Sequence, residues 1–155
     1  MFWLILSCLL PADSIHIQDG DKTPEPVKVS AVVGETNAQG EQSLTVTVQI
    51  EKGWHIYAHK PGFEGLVATT VTVSSQPKLK DVTIDYPEGE LVKDDVLDAT
   101  YRQYVGTIKI NAKLRRDLTQ EKATDGPVEV SVKFQCCNDK ACLPPQTVKV
   151  KAERK

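Results

Sequence analysis

A two-residue alternation of apolar and polar side chains, repeated in several short segments, is the feature that most limits how this chain folds. Every even position is apolar and every odd position is polar in Ser43–Ile50, and the same holds for Val128–Phe134 and Ile108–Ala112. Successive side chains of a β-strand point to opposite faces of its sheet, so each segment predicts a strand with one buried face. The side chains that we expect in the core are Leu44, Val46, Val48, Ile50, Val130, Val132 and Phe134.

Further strand candidates rich in valine, isoleucine and threonine follow the same pattern, and turns containing glycine or proline separate them. These candidates are Val27–Val29, Thr70–Val73, Val82–Tyr86 and Val148–Val150. Seven or more alternating strands at this spacing predict an all-β fold in which antiparallel sheets form a sandwich. With 155 residues, the chain is long enough for one domain with a substantial hydrophobic core.

The N-terminal region differs in composition from the rest of the chain. Phe2–Leu10 is apolar except for Ser7, but a helix of this length would reach only about 13 Å, far less than a bilayer requires. The run resembles the apolar part of a secretory signal, with a buried N-terminal strand as the alternative. We therefore expect a truncated signal segment at residues 1–14, a polar linker at 15–25 and the folded domain at 26–155. Export would place the cysteines where disulfides persist.

Several function classes find no support in the sequence. A formal net charge of −2 and an isoelectric point near 5.9 provide no basic surface, so we expect no nucleic-acid partner. The chain contains no Ser-His-Asp order, no zinc-protease His-Glu-x-x-His motif and no glycine-rich phosphate loop. We therefore expect no bound cofactor.

Three of the four cysteines lie within seven positions, at Cys136, Cys137 and Cys142. A Cys137–Cys142 disulfide would close a loop of six residues and stabilise the fold by only about 2 kcal/mol, without joining distant elements. Because this crosslink would stabilise the fold so little, its presence favours a disulfide that opens and closes. The alternation of the preceding strand predicts that Cys136 faces the core and that Cys137 is an accessible thiol facing solvent. Pro144 and Pro145 stiffen the chain directly after Cys142.

Three interpretations of this cysteine pair stay open. The first is a redox pair, and the second is a permanent bridge in a non-catalytic binding module. The third is a zinc or copper(I) site in which Cys136, Cys137 and Cys142 join His55 or His59. Both histidines fall in Gly53–Gly62, where Trp54, Ile56 and Ala58 are expected to face inward. His55, Tyr57 and His59 would then share the opposite face.

The chain resembles a known family at two places. Gln135-x-Cys137-x4-Cys142-Leu143-Pro144-Pro145, preceded some eighty residues earlier by Gly53-Trp54-His55-Ile56-Tyr57, is similar to the N-terminal periplasmic domain of the DsbD thiol:disulfide interchange proteins. The similarity extends over roughly 26–152. It implies an immunoglobulin-like antiparallel β-sandwich whose cysteine pair passes electrons in the periplasm, within a protein-disulfide reductase system linked to cytochrome c biogenesis.

The resemblance also implies the site residues and the partners. Cys137 and Cys142 would be the redox pair, and the expected site-lining residues are His55, Tyr57, Pro144 and a cap at Asp94, Asp95, Val96 and Leu97. Studied members carry aromatic residues where this chain has Val96 and Leu97, which implies weaker shielding of the pair. The partners would be thioredoxin-like periplasmic oxidoreductases and a membrane-embedded electron donor, in the same chain or a separate one.

Overall fold

The computed structural model describes residues 24–95, 98–119 and 126–155. The predicted signal segment and most of the predicted linker lie outside the described residues, as do Val96 and Leu97 of the expected cap. Within the described ranges the chain forms strands and no helix. No helix there is therefore long and apolar enough to cross a lipid bilayer.

Twelve strands follow one another along the described chain. Their bounds are β1 Val27–Val33, β2 Glu41–Ile50, β3 His55–Tyr57, β4 Thr70–Ser75, β5 Asp81–Asp85, β6 Glu90–Asp94, β7 Ala99–Tyr104, β8 Thr107–Arg115, β9 Val128–Phe134, β10 Cys136–Cys137, β11 Gln146–Lys151 and β12 Glu153–Arg154. Each strand candidate from the sequence overlaps one of them. The alternation did not predict β6 and β7, which form a hairpin beside β3.

The strands form three hydrogen-bonded sheets. The first has the order β12-β1-β2-β8-β5, the second β11-β9-β4 and the third β10-β3-β7-β6. The pairing of β1 with β12 is parallel, and the other pairs among the described strands are antiparallel. The fold is an immunoglobulin-like β-sandwich, as the sequence predicted.

One hydrophobic cluster joins the first and second sheets. Alternate residues of β2 and β8 meet alternate residues of β9 inside it, and all seven side chains expected in the core are buried. Val48, Val130, Val132 and Phe134 are completely inaccessible. Burial of apolar surface is the main source of stability, so this cluster is what keeps the sandwich folded.

Two local features bring the cysteine motif to the end of the sandwich. Gly53 has a φ of +85°, a conformation that other residues rarely adopt, and it turns the chain from β2 into β3. After Phe134 the chain leaves the second sheet, and Cys136 and Cys137 pair instead with Ile56 and His55 in the third. The two sequence motifs are therefore neighbours in space.

Candidate active site

The Cys137–Cys142 disulfide closes a tight hairpin loop after β10. The sulfur atoms are 2.02 Å apart and the Cα atoms 4.0 Å apart, and the two residues form an antiparallel bridge. Just beyond the loop, the Leu143 N–H donates to the Cys136 carbonyl at 2.8 Å, and the Gln135 side-chain amide donates to the Leu143 carbonyl at 3.2 Å. The loop is thus fastened to the sheet at its base.

The two cysteines of the pair differ sharply in accessibility. Cys137 is only 2% exposed, whereas Cys142 is exposed at the far end of the loop, followed by exposed Pro144 and Pro145. The prediction that Cys137 is the accessible thiol is therefore wrong. Cys136 and Cys137 do point to opposite sides, but the side that Cys137 faces is not solvent.

Cys137 faces a second, smaller hydrophobic cluster. Its buried members are Cys137, Tyr57 and Tyr101, with Leu66 and Val92 packed against them. The two tyrosine rings meet edge to face, with centroids 5.5 Å apart. Tyr57 comes from β3 and Tyr101 from β7, which belong to the same sheet as β10. Side chains from neighbouring strands of the third sheet therefore cover Cys137.

The Tyr57 hydroxyl lies against both sulfurs of the disulfide. Its oxygen is 3.5 Å from Cys137 Sγ and 3.8 Å from Cys142 Sγ. Sulfurs joined in a disulfide carry no hydrogen, so the hydroxyl is the donor in both contacts. Burial, and then the neighbouring Tyr101 and Asp94, raise the pKa of Tyr57 above its ordinary value of 10.0. The hydroxyl is therefore protonated, and able to donate, at neutral pH.

Of the expected cap, the structure describes Asp94 and Asp95. Asp94 ends β6 opposite Ala99, and its charge also contributes, after burial, to a raised pKa of Tyr101. The Asp95 carboxylate is exposed and forms an ion pair with Lys93 at 3.2 Å. Asp94 therefore lies close enough to act on the tyrosines of the site, while Asp95 points to solvent beside them.

His55 and His59 have different surroundings, although the sequence places them on one face. His55 lies opposite Cys137 in the β3–β10 ladder and contacts the edge of the Tyr57 ring, with centroids 5.7 Å apart. Burial lowers the pKa of His55, and the loop residue Asp139 partly opposes this. His59 follows the end of β3, stacks on Tyr86 with centroids 3.7 Å apart and bonds to the Thr69 carbonyl.

Cys136 is completely buried in the main core, as predicted. Burial raises the pKa of its thiol to about 11, with a backbone hydrogen bond from Cys137 acting in the opposite direction. The thiolate, which is the nucleophile in disulfide chemistry, is therefore scarce at this position. The described residues contain no group of three histidine, cysteine or acidic side chains arranged to hold a metal ion.

Sequence reasoning missed two residues of the site. Tyr101 lies on β7, and the alternation of Ala99, Tyr101 and their polar neighbours was the available signal. Asn138 accepts hydrogen bonds at its side-chain oxygen from the backbone N–H groups of Lys140 and Ala141, each at 2.9 Å. An asparagine that opens a short loop is a known turn signal, and it could have been used.

Comparison with known proteins agrees with the motif in this loop. The family model for the N-terminal region of the thiol:disulfide interchange protein DsbD matches residues 23–154. The chain belongs to this family. The match includes Cys136, Cys137 and Cys142 and the whole described structure except its last residue. A search of curated protein sequences found no match.

One solved structure confirms the fold of this family member. The N-terminal periplasmic domain of ScsB from Proteus mirabilis superposes with a TM-score of 0.63 at 16% identity, over 84% of this chain. The match covers 47% of the ScsB domain, so the chain spans about half of that structure. The yeast GGA1 GAE domain is also similar, with a TM-score of 0.42 and 11% identity over 83% of this chain and 93% of that one, which is too low to support an argument.

Proposed function

We propose that this domain exchanges thiols and disulfides through Cys137 and Cys142, and that Cys142 makes the bond to the partner. The observation that carries the proposal is the asymmetry of the pair, since Cys142 is exposed and Cys137 is 2% exposed. Exchange requires one sulfur to approach another directly. A partner sulfur reaches Cys142, while Cys137 is within reach only of its own loop.

In the reducing direction, the Cys142 thiolate attacks the disulfide of a partner and forms a mixed disulfide. The Cys137 thiolate then attacks Cys142, the partner's sulfur leaves with its electron pair, and the Cys137–Cys142 disulfide remains. In the reverse direction an electron donor attacks Cys142 and Cys137 is the leaving group. The Tyr57 hydroxyl, 3.5 Å from Cys137 Sγ, donates a hydrogen bond to the charge that develops there.

The proposed partners are thioredoxin-like oxidoreductases of the periplasm, and the proposed source of electrons is a membrane-embedded donor in the same chain or a separate one. Membership of the DsbD family supports this assignment, because that family is named for thiol:disulfide interchange. The similar ScsB domain is described as periplasmic, which supports export of this chain. The residues proposed to line the contact between the cysteine pair and its partner are His55, Tyr57, Asp94, Asp95, Val96, Leu97 and Pro144.

A permanent disulfide in a binding module is the competing function, and the burial of Cys137 favours it. The exposed Cys142 and the short loop oppose it, because a structural bridge is usually enclosed or joins distant elements. The redox potential distinguishes the two, since structural bridges fall below about −300 mV. The metal-binding alternative gains no support, because the two sulfurs are bonded to each other.

Trapping experiments test the order of attack. Cys137→Ser removes the resolving thiol, so incubation with an oxidised periplasmic disulfide isomerase should accumulate a mixed disulfide at Cys142 on a non-reducing gel. Cys142→Ser should accumulate little. Both variants are made with Cys136→Ala, so that the third thiol cannot replace the missing one. If neither variant forms the adduct and glutathione leaves the wild-type disulfide intact, the bridge is structural and the proposal is wrong.

A further inference from the structure

The redox loop is held by hydrogen bonds that do not involve the disulfide. The Asn138 side-chain oxygen accepts from the backbone N–H groups of Lys140 and Ala141, each at 2.9 Å. The Asn138 N–H donates to the Ala141 carbonyl at 2.9 Å. One residue thus makes three of the contacts that fold the chain back between the two cysteines.

These contacts matter most when the disulfide is open. In the oxidised state the S–S bond itself keeps Cys137 and Cys142 together, so the hydrogen bonds and the crosslink restrain the same loop. After reduction the crosslink is gone, and Cys142 lies at the exposed end of the loop. Without other restraints the loop would sample many conformations, and closing it again would cost that freedom.

We infer that Asn138 is a positioning residue of the exchange reaction, holding Cys142 beside Cys137 while the disulfide between them is open. This inference rests on the proposed function and assigns one step of it to a named side chain. The step is the closure in which the Cys137 thiolate attacks Cys142 and the partner leaves as a thiolate that takes up a proton. A preorganised loop raises the effective concentration of Cys137 at Cys142, which favours both the rate of closure and the disulfide at equilibrium.

The wild type and three variants distinguish the positioning role of the Asn138 side chain from an effect of the charge of the loop. Asn138→Ala removes the acceptor oxygen without changing charge. Asn138→Asp keeps an acceptor and makes the loop one unit more negative, and Lys140→Ala makes the same change of charge while leaving Asn138 intact. Each variant and the wild type is equilibrated in dithiothreitol and in glutathione redox buffers, quenched with acid, and analysed by mass spectrometry for dithiol, disulfide and glutathione adduct.

For Asn138→Ala we expect the equilibrium constant for forming the disulfide to fall about fivefold to tenfold. The closed conformation, which the oxidised loop requires, loses two hydrogen bonds, whereas the open conformations of the reduced loop lose none. A tenfold fall corresponds to a potential about 30 mV less negative. The glutathione adduct at Cys142 should rise by a similar factor, because closure competes less well. Asn138→Asp should agree with Lys140→Ala within about twofold.

A purely structural role of Asn138 gives a different result. It would lower the thermal stability of the oxidised form and leave the equilibrium constant unchanged, which overturns the inference. The same conclusion follows if Asn138→Asp shifts the constant as much as Asn138→Ala. Because the dithiothreitol equilibrium needs no protein partner, this failure is distinct from failure of the proposed function, which is a wild-type domain that forms no adduct with the isomerase.

Discussion

The strand β9 and the loop that follows it are close in sequence and differ in what holds them. Phe134 at the end of β9 is completely buried between two sheets, and eight positions later Cys142 is exposed where the loop returns to Cys137. The strand is fixed by burial of apolar surface contributed by distant parts of the chain. The loop is fixed by hydrogen bonds among neighbouring residues. Opening the disulfide therefore leaves the contacts that stabilise the sandwich in place.

Cys137 is where the two regions meet. It belongs to the loop through its disulfide and to a small cluster under Tyr57 and Tyr101 through its packing. That cluster is separate from the main core, which contains the adjacent Cys136. A disulfide-bonded sulfur and a free one are thus kept on opposite sides of one short strand. The environment on each side, and not the spacing of the cysteines, makes them different.

The largest expected effect is in the main core. Phe134→Ala should lower the free energy of unfolding by about 3–5 kcal/mol, because it removes a fully buried ring and leaves a cavity. Urea denaturation of the oxidised protein measures this. Phe63→Ala is the matched control, since Phe63 is 41% exposed and its loss should cost less than about 1 kcal/mol. Equal effects at both positions would mean that β9 does not form the core.

Reduction of the disulfide should have a smaller effect. We expect the free energy of unfolding to fall by about 2 kcal/mol, the value for a crosslink closing six residues, with the transition still cooperative. Denaturation curves with and without dithiothreitol measure the difference. The same loss on reduction in Cys136→Ala would show that the Cys136 thiol does not contribute to it. Loss of the cooperative transition on reduction would show that the loop is part of what holds the sandwich together.

The sequence predicted the main core well and the site only partly. In β2 and β9 the alternation alone identifies buried side chains, because each of those strands has one face on the core and one toward solvent. The same rule failed at Cys137, since its outward face is covered by Tyr57 and Tyr101 from strands distant in the chain. Alternation reports which side of a strand a residue occupies. It does not report what covers that side.

Cys136 tests whether the two sides of β10 are independent. Cys136→Ala should lower the free energy of unfolding by about 1 kcal/mol, since a fully buried sulfur is removed, and should leave exchange with a thioredoxin-like partner unchanged. Chemical denaturation measures the stability, and a thiol exchange assay with the purified thioredoxin-like partner measures the exchange. The wild-type Cys136 thiol, with its pKa raised to about 11, should also resist alkylation at pH 8 in the folded protein. Loss of exchange in the variant would show that Cys136 takes part in the reaction and that the proposed assignment of the redox pair is wrong.

The smallest effect concerns the pH dependence of stability at His55. Burial lowers the pKa of His55 in the folded protein below its ordinary value of 6.5, with Asp139 opposing. Below pH 6.5 the unfolded chain therefore binds a proton that the folded chain resists, and the free energy of unfolding falls until the folded protein is protonated too. Above that pH neither state is protonated, and His55 makes no contribution.

Denaturation of the wild type and His55→Gln between pH 5 and pH 8 isolates this term, because the other titrating groups are common to both. The wild type should lose stability relative to His55→Gln as the pH falls below 6.5, by a small amount since His55 is only partly buried. Asp139→Asn should steepen the loss, because it removes the charge that favours the protonated ring. If the wild type instead gains stability on acidification, attraction to Asp139 outweighs burial. The pKa of His55 would then be governed by the exposed loop that carries Asp139 and not by burial beside β10.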